Sequence, residues 1–353
     1  MQAAIIGLLQ SGKSTLVSAI SGRHMPLAGT TAIEEAIFSV PDERVDWLAE
    51  LHKSKKITLA TIDCLDVPGF NFADEHARTA ARRHLQQIRT VDLLVLVVRA
   101  FEDPLVGGKA DPAAELAQLK TELLLADLEL VTKRIENLEK HMKKPGGVQA
   151  HDKAELALHQ RLEATIEQEK PIISAIQTDQ ERQTVKSLGF LTLKPMVVVV
   201  NVGEGQLQQQ FDFGGILGKD VPVVKVCAKL ALELSQLDEE SRAEFMAEMS
   251  MGESTVSKFV RSCYDALGLI TFLTAAPNEA RAWQVTKGTT ALEAAGKIHS
   301  DIQRGFIRAE TISLSDLQRL GSEKAVKAAG KARLEGKDYI VKDGDVILFR
   351  FNV

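Results

Sequence analysis

The fold of this chain is decided near its N-terminus, where residues 7–14 read Gly-Leu-Leu-Gln-Ser-Gly-Lys-Ser. This stretch matches the phosphate-binding pattern G-x-x-x-x-G-K-[ST] without a gap. In such a loop the backbone N–H groups surround phosphate oxygens, Lys13 reaches the β- and γ-phosphates, and the Ser14 hydroxyl binds Mg²⁺. An apolar run at residues 3–7 precedes the loop and a helical pattern follows it. We therefore expect a nucleotide site whose loop contacts are Gly7, Gln10, Ser11, Gly12, Lys13, Ser14 and Thr15.

A second phosphate-site signal follows the next apolar run, where residues 66–69 read Asp-Val-Pro-Gly. An acid at the end of a strand can hold Mg²⁺ through water, and the N–H of Gly69 can contact a γ-phosphate. Either Thr30 or Thr31 could close on the same ion, or be an ordinary loop residue. The predicted metal ligands are Ser14, Thr31 and Asp66.

A base-reading segment is expected at residues 201–204, which read Asn-Val-Gly-Glu after an apolar run. GTP-specific proteins have N-K-x-D here, and its aspartate accepts both N–H groups of the guanine edge. Val202 replaces the lysine and Glu204 the aspartate, so guanine specificity should be weakened. The base contacts are predicted to be Asn201, Val202, Glu204, Cys227 and Ala228, although the last two could also form an ordinary strand-to-helix turn.

The sequence does not identify a catalytic residue. The position after residues 66–69, which often carries a water-orienting glutamine, is Phe70, and its ring cannot polarise water. His76 and His84 are the nearby alternatives, and each is more readily explained as a solvated histidine. We therefore expect nucleotide binding with weak hydrolysis.

Apolar runs at 3–7, 57–65, 91–98, 195–202 and 221–226 alternate with helical patterns, which predicts a parallel α/β sheet. The alternation stops near residue 112, where apolar residues begin to recur every three or four positions, as in a coiled coil. A Pro-Gly-Gly turn and a second amphipathic stretch follow. We expect an antiparallel helical hairpin, although a surface helix pair with only a packing role is an alternative. The repeating residues are Leu124, Leu128, Val131, Ile135, Leu138 and Met142.

The segment 278–353 has a different character, with short β-type runs at 282–286, 306–312, 338–341 and 346–351. It carries 13 Lys+Arg against 10 Asp+Glu, whereas the whole chain has 43 against 48 and a net charge of −5. A basic small domain on an acidic body is consistent with a nucleic-acid contact.

Length and composition exclude several classes of protein. A chain of 353 residues with 45% hydrophobic and 26% charged residues is globular and long enough for two or three domains. Its three scattered cysteines are typical of reduced thiols in a cytosolic protein. No stretch reaches the roughly 18–20 apolar residues that cross a bilayer, and the N-terminus lacks the basic region of a signal peptide. The sequence therefore predicts a cytoplasmic protein without membrane contact.

The chain resembles the YchF family of Obg-related cytosolic P-loop ATPases and GTPases along its whole length, most densely after residue 278. The stretches that carry the resemblance are residues 41–44 (PDER), 98–103 (VRAFED), 201–204 (NVGE), 281–283 (RAW), 287–290 (KGTT), 294–299 (AAGKIH), 304–310 (RGFIRAE), 335–339 (EGKDY) and 350–353 (RFNV).

The resemblance implies an α/β fold with three parts. These are a Ras-like P-loop nucleotide domain (1–111 and 190–277), an inserted α-helical coiled-coil hairpin (112–189) and a C-terminal TGS-like β-grasp domain (278–353). It also implies binding of ATP at least as well as GTP, slow hydrolysis and association with ribosomes.

The sequence departs from the family at three places. The family's loop usually reads G-x-P-N-V-G-K-S, and Leu9 and Gln10 replace its proline and asparagine. Because that asparagine is the expected K⁺ ligand, the change argues against K⁺ stimulation. The glycine-rich stretch after D-x-x-G is replaced by residues 71–82, which contain no glycine. A family histidine tied to hydrolysis has no counterpart at residues 104–107.

The leading hypothesis is a Mg²⁺-dependent, purine-nucleotide-binding NTPase for ATP or GTP, with slow hydrolysis. Its helical arm and β-grasp domain would contact the ribosome or its RNA, and we expect a monomer. Two alternatives remain. One is an adaptor that senses nucleotide without hydrolysing it, and the other is a ribosome-binding scaffold with a vestigial nucleotide site.

Overall fold

The computed structural model describes residues 1–22, 32–103, 109–143, 150–218, 220–248 and 255–352. Within these ranges, every helix is too short or too polar to span a lipid bilayer. The described strands are β1 (Gln2–Gly7), β2 (Glu34–Ser39), β3 (Ile57–Thr58), β4 (Thr61–Asp66), β5 (Leu93–Arg99), β6 (Met196–Asn201), β7 (Val223–Val226), β8 (Leu269–Ala275), β9 (Ala280–Thr286), β10 (Phe306–Ser313), β11 (Arg333–Glu335) and β12 (Asp345–Phe351).

The helices alternate with the strands in the N-terminal part and follow one another in the middle of the chain. They are α1 (Lys13–Ser21), α2 (Glu43–His52), α3 (Glu75–Gln87), α4 (Pro112–Met142), α5 (Ala150–Glu167), α6 (Asp179–Ser187), α7 (Ala228–Ser235), α8 (Glu239–Glu248), α9 (Thr255–Ala266), α10 (Ala291–Ile298), α11 (Ser300–Arg304), α12 (Leu314–Leu320) and α13 (Glu323–Ala328).

The first sheet has the strand order β2-β4-β1-β5-β6-β7. Strands β1, β5, β6 and β7 pair in parallel, and every residue of β5 is buried. This explains why β5 is a continuous apolar run, because both faces of a central parallel strand are covered by helices. The predicted α/β architecture is confirmed. The predicted run 57–65 was wrong as one strand, since β3 pairs in the second sheet and only β4 lies in the first.

The helical hairpin inserted between β5 and β6 is formed by α4 and α5. Thr132 donates a 2.6 Å hydrogen bond to Glu163, and Arg134 donates one of 2.8 Å to Glu155. Arg134 follows Thr132 on α4, whereas its partner Glu155 precedes Glu163 on α5. The helices are therefore antiparallel, as predicted from the Pro-Gly-Gly sequence between them. Apolar side chains of α4 and α5 pack with those of α6 and its flanking segments in one cluster. Its buried residues are Val131, Ile135, Leu158, Leu162, Ile166, Ile172, Ala175, Val185 and Phe190.

The second sheet has the order β11-β10-β12-β8-β9-β3. Strand β8 is antiparallel to β9 and parallel to β12, and α10 lies between β9 and β10 in the chain. This is the β-grasp arrangement expected of the C-terminal part. Residues 338–341 do not form the predicted strand, since only Ile340 makes a single bridge, to Thr290. β8 was not predicted.

Contacts divide the chain into two units that do not coincide with the predicted boundary at residue 277. Unit 1 comprises 1–36 and 64–250, and unit 2 comprises 37–63 and 251–353. Segment 37–63 belongs to unit 2 because β3 pairs with β9 and Arg44 bonds Asp343 at 2.6 Å. These contacts join residues more than 200 positions apart, which no local pattern indicates.

A buried ion pair fixes the middle of α4 within unit 1. The Asp127 carboxylate is fully buried and accepts hydrogen bonds from Arg89 (2.7 Å), the backbone N–H groups of Leu191 (3.0 Å) and Thr192 (2.9 Å), and the Thr192 hydroxyl (2.8 Å). Arg89 also donates to the carbonyl of Ala126 at 2.7 Å. One carboxylate therefore joins α4 to the segment that leads into β6.

We expect Asp127→Ala to lower the free energy of unfolding by about 3–5 kcal/mol, because it leaves a buried guanidinium and two buried amides unpaired. Glu129→Ala on the same helix is the control, since the Glu129–Arg82 pair is about 40% exposed on both sides and should cost about 0–1 kcal/mol. Urea unfolding measures both changes. Equal losses for the two variants would contradict this account of Asp127.

Candidate nucleotide site

The phosphate loop joins the end of β1 to the start of α1 through an unusual backbone. Gln10 and Gly12 both adopt positive φ angles, 61° and 83°. At Gly12 an added Cβ would also collide with the Asn201 side chain, so only glycine fits there. The first turn of α1 carries no acidic residue, so the positive end of this helix remains available to an anion.

Lys13 is a buried cation that lacks a counter-ion in the described ranges. Its side chain is 5% exposed, and Nζ donates long bonds of 3.4 Å to the carbonyls of Gly7 and Leu8. Burial lowers the pKa of Lys13 to about 8, although the Asp66 and Glu115 carboxylates partly oppose that change. A buried ammonium held only by two weak carbonyl contacts is poised to bind an anion.

Ser14 and Asp66 lie together beside this lysine. The Ser14 hydroxyl donates a 3.0 Å hydrogen bond to Asp66 Oδ2, while the buried Oδ1 of the same carboxylate has no partner. Burial raises the pKa of Asp66, and Lys13 and Ser14 act in the opposite direction. A hydroxyl next to a carboxylate with a free oxygen fits the oxygen ligands that Mg²⁺ prefers.

A second unpartnered atom belongs to the loop itself. Ser11 is 1% exposed and its hydroxyl oxygen has no hydrogen-bond partner. Buried polar atoms in native proteins are normally satisfied, so an orphan at such a place calls for a ligand. Together with Asp66 Oδ1, it marks the polar interior of the loop as incomplete without a bound group.

Phe70 ties the loop to residues 66–69. Its N–H donates to Gly7 O and its carbonyl accepts from the N–H of Leu9, both at 2.9 Å. A Cβ on Gly69 would lie 3.0 Å from the Leu9 backbone, so Gly69 allows this close approach. Phe70 is therefore a structural brace of the phosphate site. From sequence it was noted only as a missing glutamine, and no local signal indicated this role.

On the predicted base side, Asn201 lies at the end of β6 and connects two loops. Its side-chain amide donates a 3.0 Å bond to Ser11 O and accepts a 3.1 Å bond from the N–H of Ala228. Ser11 takes one of the two amide hydrogens. Asn201 therefore positions the phosphate loop against the start of α7.

The other predicted base contacts lie around the same strand end. Val202, Cys227 and Ala228 are buried, and Cys227 immediately precedes α7. Glu204 is exposed and forms a 3.5 Å ion pair with Lys229. The Glu204 carboxylate is thus free to reorient toward a ligand, at the small cost of a surface ion pair.

A largely buried pair that the sequence analysis did not identify joins the end of β5 to the helical hairpin. Glu115 on the first turn of α4 accepts a 2.8 Å bond from the N–H of Arg99 at the end of β5, and the two side chains approach to 3.7 Å. Burial raises the pKa of Glu115, which Arg99 opposes. The sequence contains one signal that could have located Glu115. Asp111 followed by proline is typical of a capped helix start, and Glu115 lies in the first turn of that helix.

The remaining predicted residues fall into three groups. Thr15 lies in the first turn of α1, next to Ser14. Thr31 and residues 104–107 lie outside the described residues. Among the described contacts, neither His76 nor His84 bonds to Lys13, Ser14 or Asp66, and the His84 ring contacts Gln87 at 3.2 Å.

Two family models match the chain. The MMR_HSR1 model, described as a 50S ribosome-binding GTPase, covers residues 2–202. The YchF-GTPase_C model, described as a protein of unknown function, covers residues 269–352, beginning at the first residue of β8. A protein of Bacillus subtilis named "Ribosome-binding ATPase YchF" is 38% identical over 100% of both chains. The chain belongs to the YchF family.

Further matches extend this membership to eukaryotic proteins. "Obg-like ATPase 1" of Oryza sativa subsp. japonica is 35% identical and covers 100% of this chain and 92% of its own length. The structure of the Schizosaccharomyces pombe YchF GTPase has a TM-score of 0.83 at 29% identity, covering 99% of this chain and 97% of that one. The resemblance inferred from the motifs is confirmed.

The pKa of Lys13 leads to a prediction for nucleotide binding by this YchF-family chain. With a pKa of about 8, the free lysine is about three-quarters deprotonated at pH 8.5. Bound phosphates favour the ammonium form of Lys13. Nucleotide binding should therefore take up about 0.7 proton at pH 8.5 and close to none at pH 7. For the same reason, nucleotide affinity should fall as the pH rises above about 8. Calorimetry of a non-hydrolysable ATP analogue in two buffers of different ionisation enthalpy measures this uptake. Equal enthalpies in both buffers at pH 8.5 would contradict it.

Proposed function

We propose that this chain is a P-loop nucleoside triphosphatase that binds ATP or GTP with Mg²⁺, hydrolyses it slowly to diphosphate and phosphate, and associates with ribosomes. The observation that carries the proposal is the buried Lys13, without an ion-pair partner among the described residues, next to Ser14 and the half-satisfied Asp66. The triphosphate would supply the missing negative charge, and its oxygens would contact the N–H groups at the start of α1.

Mg²⁺ would be held through the Ser14 hydroxyl and the unpartnered Asp66 oxygen. When bound, it offsets the negative charge of the β- and γ-phosphate oxygens. Thr31, which lies outside the described residues, is the third proposed ligand. We propose no K⁺ requirement, because Gln10 occupies the position of the family's K⁺ ligand.

The base would lie beside Asn201, Val202, Glu204, Cys227 and Ala228. Selection of guanine needs a carboxylate at one fixed distance from both N–H groups of the base edge. Glu204 is one methylene longer than aspartate and pairs with Lys229 at the surface, so we infer that ATP is accepted at least as well as GTP.

Slow hydrolysis follows from the chemistry of Phe70. The residue after Gly69 is 2% exposed, its backbone is bonded to the phosphate loop, and its ring offers no group to orient a water molecule. This same observation favours one alternative function, a nucleotide-sensing adaptor that binds without turnover. Single-turnover hydrolysis, measured as phosphate release with and without ribosomes, distinguishes the two.

Association with ribosomes is inferred from the names of relatives, among them the Bacillus subtilis "Ribosome-binding ATPase YchF". We propose that the hairpin of α4 and α5 and the basic C-terminal domain make the contact, that the protein acts as a monomer, and that it works in the cytoplasm, where ribosomes are found.

Replacing the phosphate-loop lysine tests nucleotide binding directly. Lys13→Ala should weaken binding of fluorescent, non-hydrolysable ATP and GTP analogues by at least about a hundredfold, because it removes a buried charge that faces the phosphates. Lys186→Ala, which removes an exposed lysine of α6, should leave both affinities unchanged. Wild-type affinity in Lys13→Ala would refute the proposed site.

The Mg²⁺ role is tested by Asp66→Asn, which keeps the size of the side chain and removes its charge. In the wild type we expect Mg²⁺ to strengthen binding of the ATP analogue relative to binding in EDTA. Asp66→Asn should abolish most of that difference while retaining the affinity seen in EDTA. A Mg²⁺ effect of wild-type size in this variant would exclude Asp66 as a ligand-holding residue.

A further inference from the structure

Helix α3 and the two residues after it form a strongly basic segment that follows the D-x-x-G motif. From His76 to Arg89 the chain has four arginines, two histidines and no acidic residue, although the whole chain carries a net charge of −5. The preceding acids, Asp74 and Glu75, sit at the start of α3, where the Asp74 side chain accepts from the N–H of Ala77 at 2.8 Å and caps the helix.

Two of these arginines present guanidinium groups to solvent without an ion-pair partner in the described part of the chain. Arg83 is exposed, and Arg78 is exposed with only its Nε engaged, in a 3.1 Å bond to Phe72 O. Arg82 forms a 3.1 Å pair with Glu129, and Arg89 is held by Asp127. The free positive charge of α3 is therefore concentrated at Arg78 and Arg83.

The apolar residues of α3 leave no surface for a lipid. Ala81 and Leu85 are 3% and 1% exposed, so they are used against the body of unit 1. A helix that binds a bilayer surface needs an uncovered apolar face opposite its basic residues. What α3 offers instead is a mainly polar, cationic surface, in which the small side chain of Ala80 is the exposed apolar group.

We propose that α3 is a docking surface for the phosphate backbone of RNA, contacted through Arg78 and Arg83 with Arg82 between them. Arginine presents a planar fork that matches phosphate oxygens. Each helical residue adds about 1.5 Å along the axis and about 100° around it. Arg82 therefore lies about 6 Å from Arg78 on the same face, whereas Arg83 lies about 7.5 Å along the axis from Arg78 and about 140° around it. A single strand that crosses the exposed side of α3 can place successive phosphates against these long side chains. The choice of RNA rests on the proposed association with ribosomes, whose surface is rich in RNA phosphates.

The position of α3 links this surface to the nucleotide site. Phe70 is bonded to Gly7 and Leu9 of the phosphate loop, and the Phe70 and Phe72 rings lie 5.8 Å apart. Phe72 O in turn accepts the bond from Arg78. A group that binds in the phosphate loop therefore acts on the first turn of α3 through a short series of contacts, so RNA affinity should depend on the bound nucleotide.

The test compares the wild type with Arg78→Ala/Arg83→Ala and a charge-matched control, Lys55→Ala/Lys258→Ala, whose lysines are exposed and lie in unit 2. The probes are 50S ribosomal subunits, protein-free ribosomal RNA extracted from them, and vesicles containing anionic lipid. Affinities are measured over a range of salt concentrations, with the non-hydrolysable ATP analogue and without nucleotide.

We expect the α3 variant to bind 50S subunits and the extracted RNA about tenfold or more weakly, and the slope of log K against log salt to fall by about 2, one for each lost phosphate contact. The control should match the wild type, and vesicles should bind none of the proteins. Arg78→Lys/Arg83→Lys should restore the slope while remaining weaker than the wild type, because charge returns without the planar fork.

Equal affinities and slopes for the α3 variant and the control would overturn the inference. So would a loss confined to 50S subunits with unchanged binding to the extracted RNA, which would assign α3 to a ribosomal protein, or a loss of vesicle binding, which would assign it to lipid. If the wild type does not bind 50S subunits at all, the proposed ribosome association itself fails. Wild-type affinity of the α3 variant for the ATP analogue shows that its nucleotide site is intact.

Discussion

The burial of one ammonium group, Lys13 Nζ, constrains everything around the phosphate loop. A buried cation that forms no ion pair with the described residues is costly, so the surrounding chain must hold the loop in place until an anion arrives. The loop is fixed from two sides, by the backbone bonds of Phe70 and by the amide of Asn201. The positive φ of Gly12 lets the backbone pass Asn201 closely. The phosphate loop is therefore organised in advance, and binding does not have to order it.

The residues arranged for nucleotide binding differ from the position where a water-orienting residue would be expected. The groups proposed to hold phosphate and Mg²⁺ converge at Lys13, Ser14 and Asp66, whereas the position that often orients water is occupied by Phe70. Phe70 braces the loop, so a polar side chain there would have to fit the same buried place. The α3 residues that follow carry charge for a partner. This division favours a protein whose nucleotide controls contacts more than it drives rapid turnover.

Sequence alone predicted those features that arise from short-range patterns. The phosphate loop at 7–14 and the hairpin of α4 and α5 are written in consecutive residues, and both form as expected. The pairing of Ile57 with Ala280 could not be predicted, because the two residues lie more than 200 positions apart and no local pattern indicates which strands pair. The same holds for the Arg99–Glu115 pair, which depends on where a strand end meets a helix start. Candidate site residues were thus easier to propose from the sequence than the contacts that position them.

The most direct test of the central claim is a crystal structure with a non-hydrolysable ATP analogue and Mn²⁺ in place of Mg²⁺, located by its anomalous scattering. We predict that Lys13 Nζ exchanges its bonds to Gly7 O and Leu8 O for β- and γ-phosphate oxygens. The metal peak should lie at the Ser14 hydroxyl with Asp66 beside it. A nucleotide bound elsewhere, or a loop that holds the analogue while Lys13 keeps its carbonyl contacts, would contradict the account.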